Sequence, residues 1–311
     1  MRMDRNICFY IMLLSIFCAL LWGCERQEAT AFEIAAQSYA DGNYAAAEVY
    51  FVEALESEEA SDVVRLGHGY NLAALGENTE AIDELLKVQD SFADSETGIA
   101  IRRLLLELYL EECNYAGAAR VCSELGSMCE SRTEREEYEL QAAVICADMY
   151  RTEGLTGALE EELKNIINLK VYAGDEYLEL YEMYIAADLR QQRLKLADEI
   201  AVYMTGHSAY IEDFTMVIGV MFDAAEVAGY TEWDYDTDHY FTQAEKFISL
   251  AEEAGLSSTD LIRYKIIIAE RRGKLELAEE LLGVYLNHCP DDEKAQKELK
   301  YLKLRLGAGS L

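Results

Sequence analysis

Proline is nearly absent: Pro290 is the only one in 311 residues, and glycine stops at 19. A β-sandwich or barrel needs turn residues roughly every ten positions, so this scarcity excludes those folds and points to helices joined by short loops. Basic residues are also few, 27 Lys and Arg against 59 Asp and Glu, for a net charge of -32. Without clustered cations to grip phosphates, nucleic acid is excluded as a partner. Adhesion of the folded body to an anionic lipid surface is disfavoured for the same reason. The longest apolar stretch, Ile7 to Trp22, has 16 residues, short of the ~20 that a membrane span requires.

Chemical signatures are lacking too. The histidines at 68, 207, 239 and 288 are scattered and form no HExxH. Besides Cys24, Cys113, Cys122, Cys129, Cys146 and Cys289 stand in the body with no CxxC among them. Zinc and redox motifs are therefore missing. No metal, no cofactor and no catalytic set is expected, and the chain reads as a binding protein, not an enzyme.

What is present is a helical period. Hydrophobic residues make up 51% of the chain, enough to bury a core. In the segment Asp41 to Leu55, a glycine turn and an aromatic precede Ala47, Phe51 and Ala54, which fall on one helical stripe. Gly76 to Ala81 repeats this 34 residues later, with Ala81, Leu85 and Val88 on the stripe. Cys113-Asn114-Tyr115 leads to Ala118, Cys122 and Leu125, and Gly273 to Ala278, Leu282 and Tyr285. Weaker copies centre on Ala158, Ala197 and Ala244, with Glu162 interrupting the stripe of the fourth. Starts of the capping type occur at Ser61, Ser131 and Ser258.

This pattern resembles the tetratricopeptide (TPR) repeat, and Pro290 falls where that family ends a repeat. The resemblance implies an all-α fold, an α-solenoid of about seven TPR-like hairpins over residues 31–306. A C-terminal capping helix then carries Ala295, Leu299, Leu302 and Leu306 inward and a charged face outward. Residues 307–311 form a tail. The resemblance also implies a concave surface lined by first helices. Counting back from the turns at Gly42, Gly76 and Cys113 places Phe32, Tyr39, Leu66, Tyr70, Arg103, Glu107, Leu110 and Glu111 on that surface as a partner-binding groove. Aromatic and apolar anchors beside carboxylates suit a protein or peptide segment carrying Lys or Arg. Packing between repeats is the other role open to these side chains, and simple solubility the other reading of the acidity.

The N-terminus adds a location. Arg2 and Arg5 precede the apolar stretch, and Leu21-Trp22-Gly23-Cys24 follows it. This resembles the lipobox of bacterial lipoproteins, although Trp22 is larger than the usual residue in its slot. The resemblance implies a signal peptide over residues 1–23, lipidation of Cys24, a linker over 24–30, and a body anchored on the outer face of the cell membrane. Removal of residues 1–23, with two basic residues and one acidic, leaves a net charge of -33. A scaffold or receptor for another protein is the primary expectation. Service in envelope assembly and capture of a small solute remain the alternatives.

One local pattern deserves exclusion. Asp234, Asp236, Asp238 and Glu245 have the spacing of a calcium loop. His239 stands where the loop turns on glycine, and the repeat register starts a helix near Thr237, so no calcium site is expected. The surrounding aromatics, Tyr230, Trp233, Tyr235, Tyr240 and Phe241, suit either a contact loop or packing on the neighbouring repeat.

Overall fold

The computed structural model of the chain describes residues 29–57, 61–93, 95–230, 236–256 and 258–308. Among them are fifteen α-helices and no strand. Fourteen helices pair as hairpins: α1 (Ala31–Ala40) with α2 (Tyr44–Glu56), α3 (Asp62–Leu75) with α4 (Asn78–Val88), and α5 (Glu96–Glu111) with α6 (Tyr115–Met128). The series continues with α7 (Arg132–Glu153) and α8 (Thr156–Leu169), then α9 (Gly174–Ala186) and α10 (Arg190–Gly206). It closes with α11 (Phe214–Tyr230) and α12 (Thr237–Glu253), α13 (Thr259–Arg271) and α14 (Leu275–His288), and the terminal helix α15 (Glu293–Ala308). Seven hairpins and a final helix make this an all-α fold of α-solenoid type.

Helix pairing starts at the turn. In six of the hairpins the connection holds one left-handed residue: Gly42, Gly76, Cys113, Gly154, Asp188 or Gly273. The next amide then bonds back to a carbonyl five residues earlier, as Glu77 does to Leu72 at 3.0 Å and Leu189 to Tyr184 at 2.9 Å. This closure satisfies carbonyls at the helix end that would otherwise lack donors. Helix starts are capped by side chains: Ser61, Ser131 and Ser258 each accept an amide of the first turn. The reciprocal capping box forms at Thr30 and Glu33, before α1.

The second helix of every hairpin buries its fourth, eighth and eleventh residues or, in the last, the first two of these. In α2 they are Ala47, Phe51 and Ala54, in α4 Ala81, Leu85 and Val88, in α6 Ala118, Cys122 and Leu125. In α8 they are Leu159, Leu163 and Ile166. This corrects the expectation of a degenerate fourth repeat anchored at Ala158: the stripe lies one residue later, and Glu162 stands beside it. In α10 and α12 the fourth residues are Arg193 and Tyr240, and Ala197 and Ala244 occupy the eighth position. The fifth and sixth anchors therefore lie one helical turn before the alanines that suggested them. The seventh follows the expected order, Ala278 then Leu282.

The described residues divide into two compact units, with the boundary between Leu169 and Lys170. Helices α1 to α8 fall in the first unit and α9 to α15 in the second. In the first, Phe51 sits in a core with Ala35, Tyr39, Ala47 and Val64, and a second core runs from Leu66 to Ile145. Approach of α3 to α2 is close enough that a Cβ on Gly67 would lie 2.7 Å from the Phe51 ring. In the second unit the terminal core joins Ile266, Ala278, Leu282, Ala295 and Leu302.

Candidate partner-binding surface

The eight groove residues fall into two groups. On α1 and α3 they pack. Leu66 is fully buried, and Tyr39 is buried with its ring 5.2 Å from that of Tyr44. These two face the core and are not offered to a partner, which corrects their assignment. Phe32 is half-buried with its ring 6.3 Å from Phe51, and Tyr70 is half-buried against both cores of the first unit. The reason is local: α3 sinks between α2 and α4 on its small residues Gly67 and Gly69, so the neighbouring large side chains are enclosed.

On α5 the expected residues are exposed. Arg103, Glu107, Leu110 and Glu111 follow the i, i+4, i+7, i+8 spacing of one helical stripe, and Leu110 is 37% exposed. Glu111 accepts a hydrogen bond from Asn78 Nδ2 at 3.1 Å, and Asn78 also donates to Glu112 at 3.0 Å. The same offsets from the turn at Gly154 single out Val144, Asp148, Arg151 and Thr152 on α7, all exposed, with Asp148 paired to Arg151. Sequence reasoning stopped at the third hairpin and missed these; the glycine at 154 is the signal that finds them.

A polar site that the sequence does not announce lies in the second unit. Arg193, on α10, is 8% exposed and pairs with Asp223 of α11. The buried Tyr181 of α9 donates its hydroxyl to the same carboxylate at 2.7 Å. Burial, reinforced by the hydrogen bond to Asp223 and its charge, pushes the Tyr181 phenol well above the usual tyrosine range. Beside this network an open cleft of about 430 Å³ is lined by Asp188, Arg190, Arg193, Asp223, Glu226, Val227 and Tyr230. Arg190 in turn holds Asp188 at 3.0 Å. The cations of the cleft are thus already matched by carboxylates, and the arrangement fastens three helices together. In the first unit a smaller counterpart joins α2 to α3: Glu48 lies 2.8 Å from His68 Nε2 and accepts from Asn71 at 2.8 Å.

The acids with calcium-loop spacing have other partners. Asp236 caps α12, whose first residue is Thr237, and accepts the amide of Asp238 at 2.9 Å. Asp238 and Glu245 both face Arg272, the latter at 2.7 Å. Asp234 lies outside the described residues, as do Trp233 and Tyr235. Of the other aromatics of that segment, Tyr240 and Phe241 are buried and Tyr230 is exposed. Among the described residues no group of three or more His, Cys, Asp or Glu could hold a metal ion. No described helix is long and apolar enough to cross a membrane. The five cysteines of the body are free, and burial raises the Cys122 thiol to about 11, with Cys146 adding to the shift. Cys24 lies outside the described residues.

No family model matches the chain, and no curated protein is similar to it in sequence. Among solved structures it is similar to a tetratricopeptide repeat protein from Parabacteroides merdae, at 14% identity over 88% of this chain and 97% of the other, with a TM-score of 0.34. The C-terminal part of a TPR repeat-containing protein from Cytophaga hutchinsonii aligns at 12% identity over 86% of this chain and 99% of that one, with a TM-score of 0.42. The structure of Naa15/Naa10 bound to HypK-THB aligns at 12% identity over 88% of this chain and 38% of the other, with a TM-score of 0.47. What marks the chain as TPR-like is its own hairpin geometry, with left-handed turns and a buried stripe at fixed offsets from each.

Proposed function

We propose that the chain is a lipid-anchored extracytoplasmic scaffold or receptor that holds a segment of another protein against its first-helix surface. The observation that carries the reading is the exposed stripe of α5, Arg103, Glu107, Leu110 and Glu111, continued in kind by Val144 and Asp148 on α7. Leu110 and Val144 supply apolar anchors, and the carboxylates favour a segment carrying Lys or Arg. Anchoring follows the Leu21-Trp22-Gly23-Cys24 resemblance, with the body outside the cytoplasm. Binding, not catalysis, is the activity, and no cofactor takes part.

Two measurements test the two halves. Crosslinking capture from membranes with the wild-type chain and with Glu107→Lys reads the surface. The variant should slow capture, most of all at low salt, because screening by ions weakens charge effects. Equal capture of the same partner by both, and by Leu110→Ala, would remove the surface assignment. Mass spectrometry of the membrane-extracted protein reads the anchor: a diacylated Cys24 at the N-terminus is expected, and an intact Met1 would refute it.

A further inference from the structure

The terminal helix inverts the charge of the rest of the molecule. In α15, Lys294, Lys297, Lys300, Lys303 and Arg305 stand against Glu293 and Glu298, a net of +3 in a chain of -32. Among the other described helices only α10 and α13 are positive, at +1 each. The inward face of α15 is the expected one, with Ala295 and Leu302 buried. The outward face is not simply a charged surface in water. Tyr301 is 57% and Leu304 66% exposed, and on a helical wheel they stand opposite the core stripe, flanked by Lys297 and Lys300. Arg305 lies over the Tyr301 ring at 5.9 Å. Lys297 approaches Glu293 only at 3.7 Å, and among the described residues Lys300 and Lys303 meet no carboxylate.

The first hairpin carries the opposite surface. On α2, directly away from Ala47, Phe51 and Ala54, stand Ala45, Val49, Val52 and Glu56, with Glu53 beside them. Val49 is 64% exposed and Val52 40%, and both glutamates are exposed. Among the described residues neither glutamate meets a cation. One helix thus presents two aliphatic side chains between carboxylates, and another presents a tyrosine and a leucine between ammonium groups. Apolar residues left in water beside uncompensated charge form a surface awaiting a complement. The complement is present in the same polypeptide.

We propose that the outward face of α15 docks on the outward face of α2 of a second copy of this chain. Tyr301 and Leu304 cover Val49 and Val52, while Lys297 and Lys300 meet Glu53 and Glu56. The two faces differ, so the contact is head-to-tail and is either made twice in a closed pair or repeated along a row. An anionic bilayer would match the lysines as well, but the negative charge of the remaining body opposes it. This association is separate from capture on α5 and stands whether or not Cys24 carries lipid.

The test uses the full chain in detergent micelles, mixed from normal and 15N-labelled preparations, with a zero-length carbodiimide to join amines to carboxylates. Mass spectrometry then distinguishes links within one copy from links between copies. Links of mixed isotope from Lys297 or Lys300 to Glu53 or Glu56 are expected, and they should fall severalfold between 0.05 and 0.5 M salt, roughly as exposed ion pairs do. Lys300→Glu should reduce them about fivefold, and Lys300→Glu with Glu53→Lys should restore the mixed links. Circular dichroism confirms that each variant keeps its helices. Links confined to single-isotope peptides, or mixed links from α15 to other acids that ignore Glu53→Lys, would overturn the proposal. So would slowed hydrogen exchange of α15 on phosphatidylglycerol vesicles, but not on phosphatidylcholine, in a chain that forms no mixed links.

Discussion

The first three hairpins and the fifth and sixth solve the same packing problem with bulk placed one turn apart. In α2, α4 and α6 the fourth residue of the second helix is alanine and the eighth is Phe51, Leu85 or Cys122. In α10 and α12 the order is reversed: Arg193 and Tyr240 fill the fourth position, and alanine the eighth. All are buried, so roughly the same volume is filled. The chemistry differs. A buried aliphatic or phenyl group needs only contact, whereas a buried guanidinium or phenol needs a partner. Arg193 finds Asp223, and Tyr240 donates to the Leu194 carbonyl at 3.3 Å. Interchangeable volume in the first three hairpins becomes a specific bond across neighbouring helices in the fifth and sixth.

The largest effect should come from removing the bulk itself. Phe51→Ala opens a cavity in the first unit and should cost about 3–5 kcal/mol, read by denaturant titration of the full chain. Hydrogen exchange should loosen α1 to α3 more than α9 to α12. If exchange rises equally in both units, the division of the core is wrong.

Next in size is the polar counterpart. Asp223→Ala leaves the Arg193 charge without its carboxylate and the Tyr181 hydroxyl with the Val220 carbonyl, at 3.4 Å. Asp223 is itself partly exposed, so the loss should be about 2–3 kcal/mol, below that of a fully buried pair. Exchange should now rise in α9 to α11 instead. An unchanged midpoint would mean that water replaces the carboxylate at little cost.

The Tyr181 phenol supplies a pH signature in the second unit. Its folded-state pKa is raised above the ordinary 10 by burial and by Asp223. Such a group contributes stability that is fully present below the unfolded pKa and is lost as pH rises beyond it. The second unit should therefore weaken above pH 10, and Tyr181→Phe should flatten that fall relative to wild type. A variant that falls as steeply would assign the alkaline loss to other groups.

The smallest effect sharpens the likeness between the units instead of the contrast. Among the described residues Cys113 and Asp188 are the two non-glycine residues with positive φ, at 54° and 50°, in turns where other hairpins use glycine. Cys113→Gly and Asp188→Gly should each stabilise by up to about 1 kcal/mol, because the Cβ strain of the left-handed region disappears. Thermal midpoints that fall in both would show that side-chain contacts outweigh the strain.

The hairpin count is legible in the sequence because glycine turns and alternating stripes survive in most copies. The anchors of the fourth to sixth hairpins are not, because alanine serves there as a misleading marker. Ala158 is a near neighbour of the buried Leu159, and Ala197 and Ala244 are the small members of an inverted pair. Arg193 at a core position looks like surface until Asp223, 30 residues on, folds against it. The exposure of the first-helix residues is half legible. Offsets from the turn place Arg103, Glu107, Leu110 and Glu111 on an exposed face, but the same offsets on α1 and α3 yield Tyr39 and Leu66, which are buried. Offset specifies a direction on a helix; how deeply that helix is embedded depends on the side chains of its neighbours, here the glycines of α3.

The left-handed turns can also be seen as points where helical phase is reset. Fourth residues of successive second helices lie 34, 37, 41, 34, 47 and 38 positions apart, yet each stripe keeps the same offsets from the start of its helix. Length gained between hairpins therefore never accumulates as rotation. One residue inserted inside a helix would turn everything after it by about 100° and carry polar side chains into the core. One inserted in the turns at residues 41–43 or 112–114 would be absorbed before the next helix begins. The molecule is in this sense written in independent measures, and its tolerance for added residues should follow the positions of those measures, not distance from any one site.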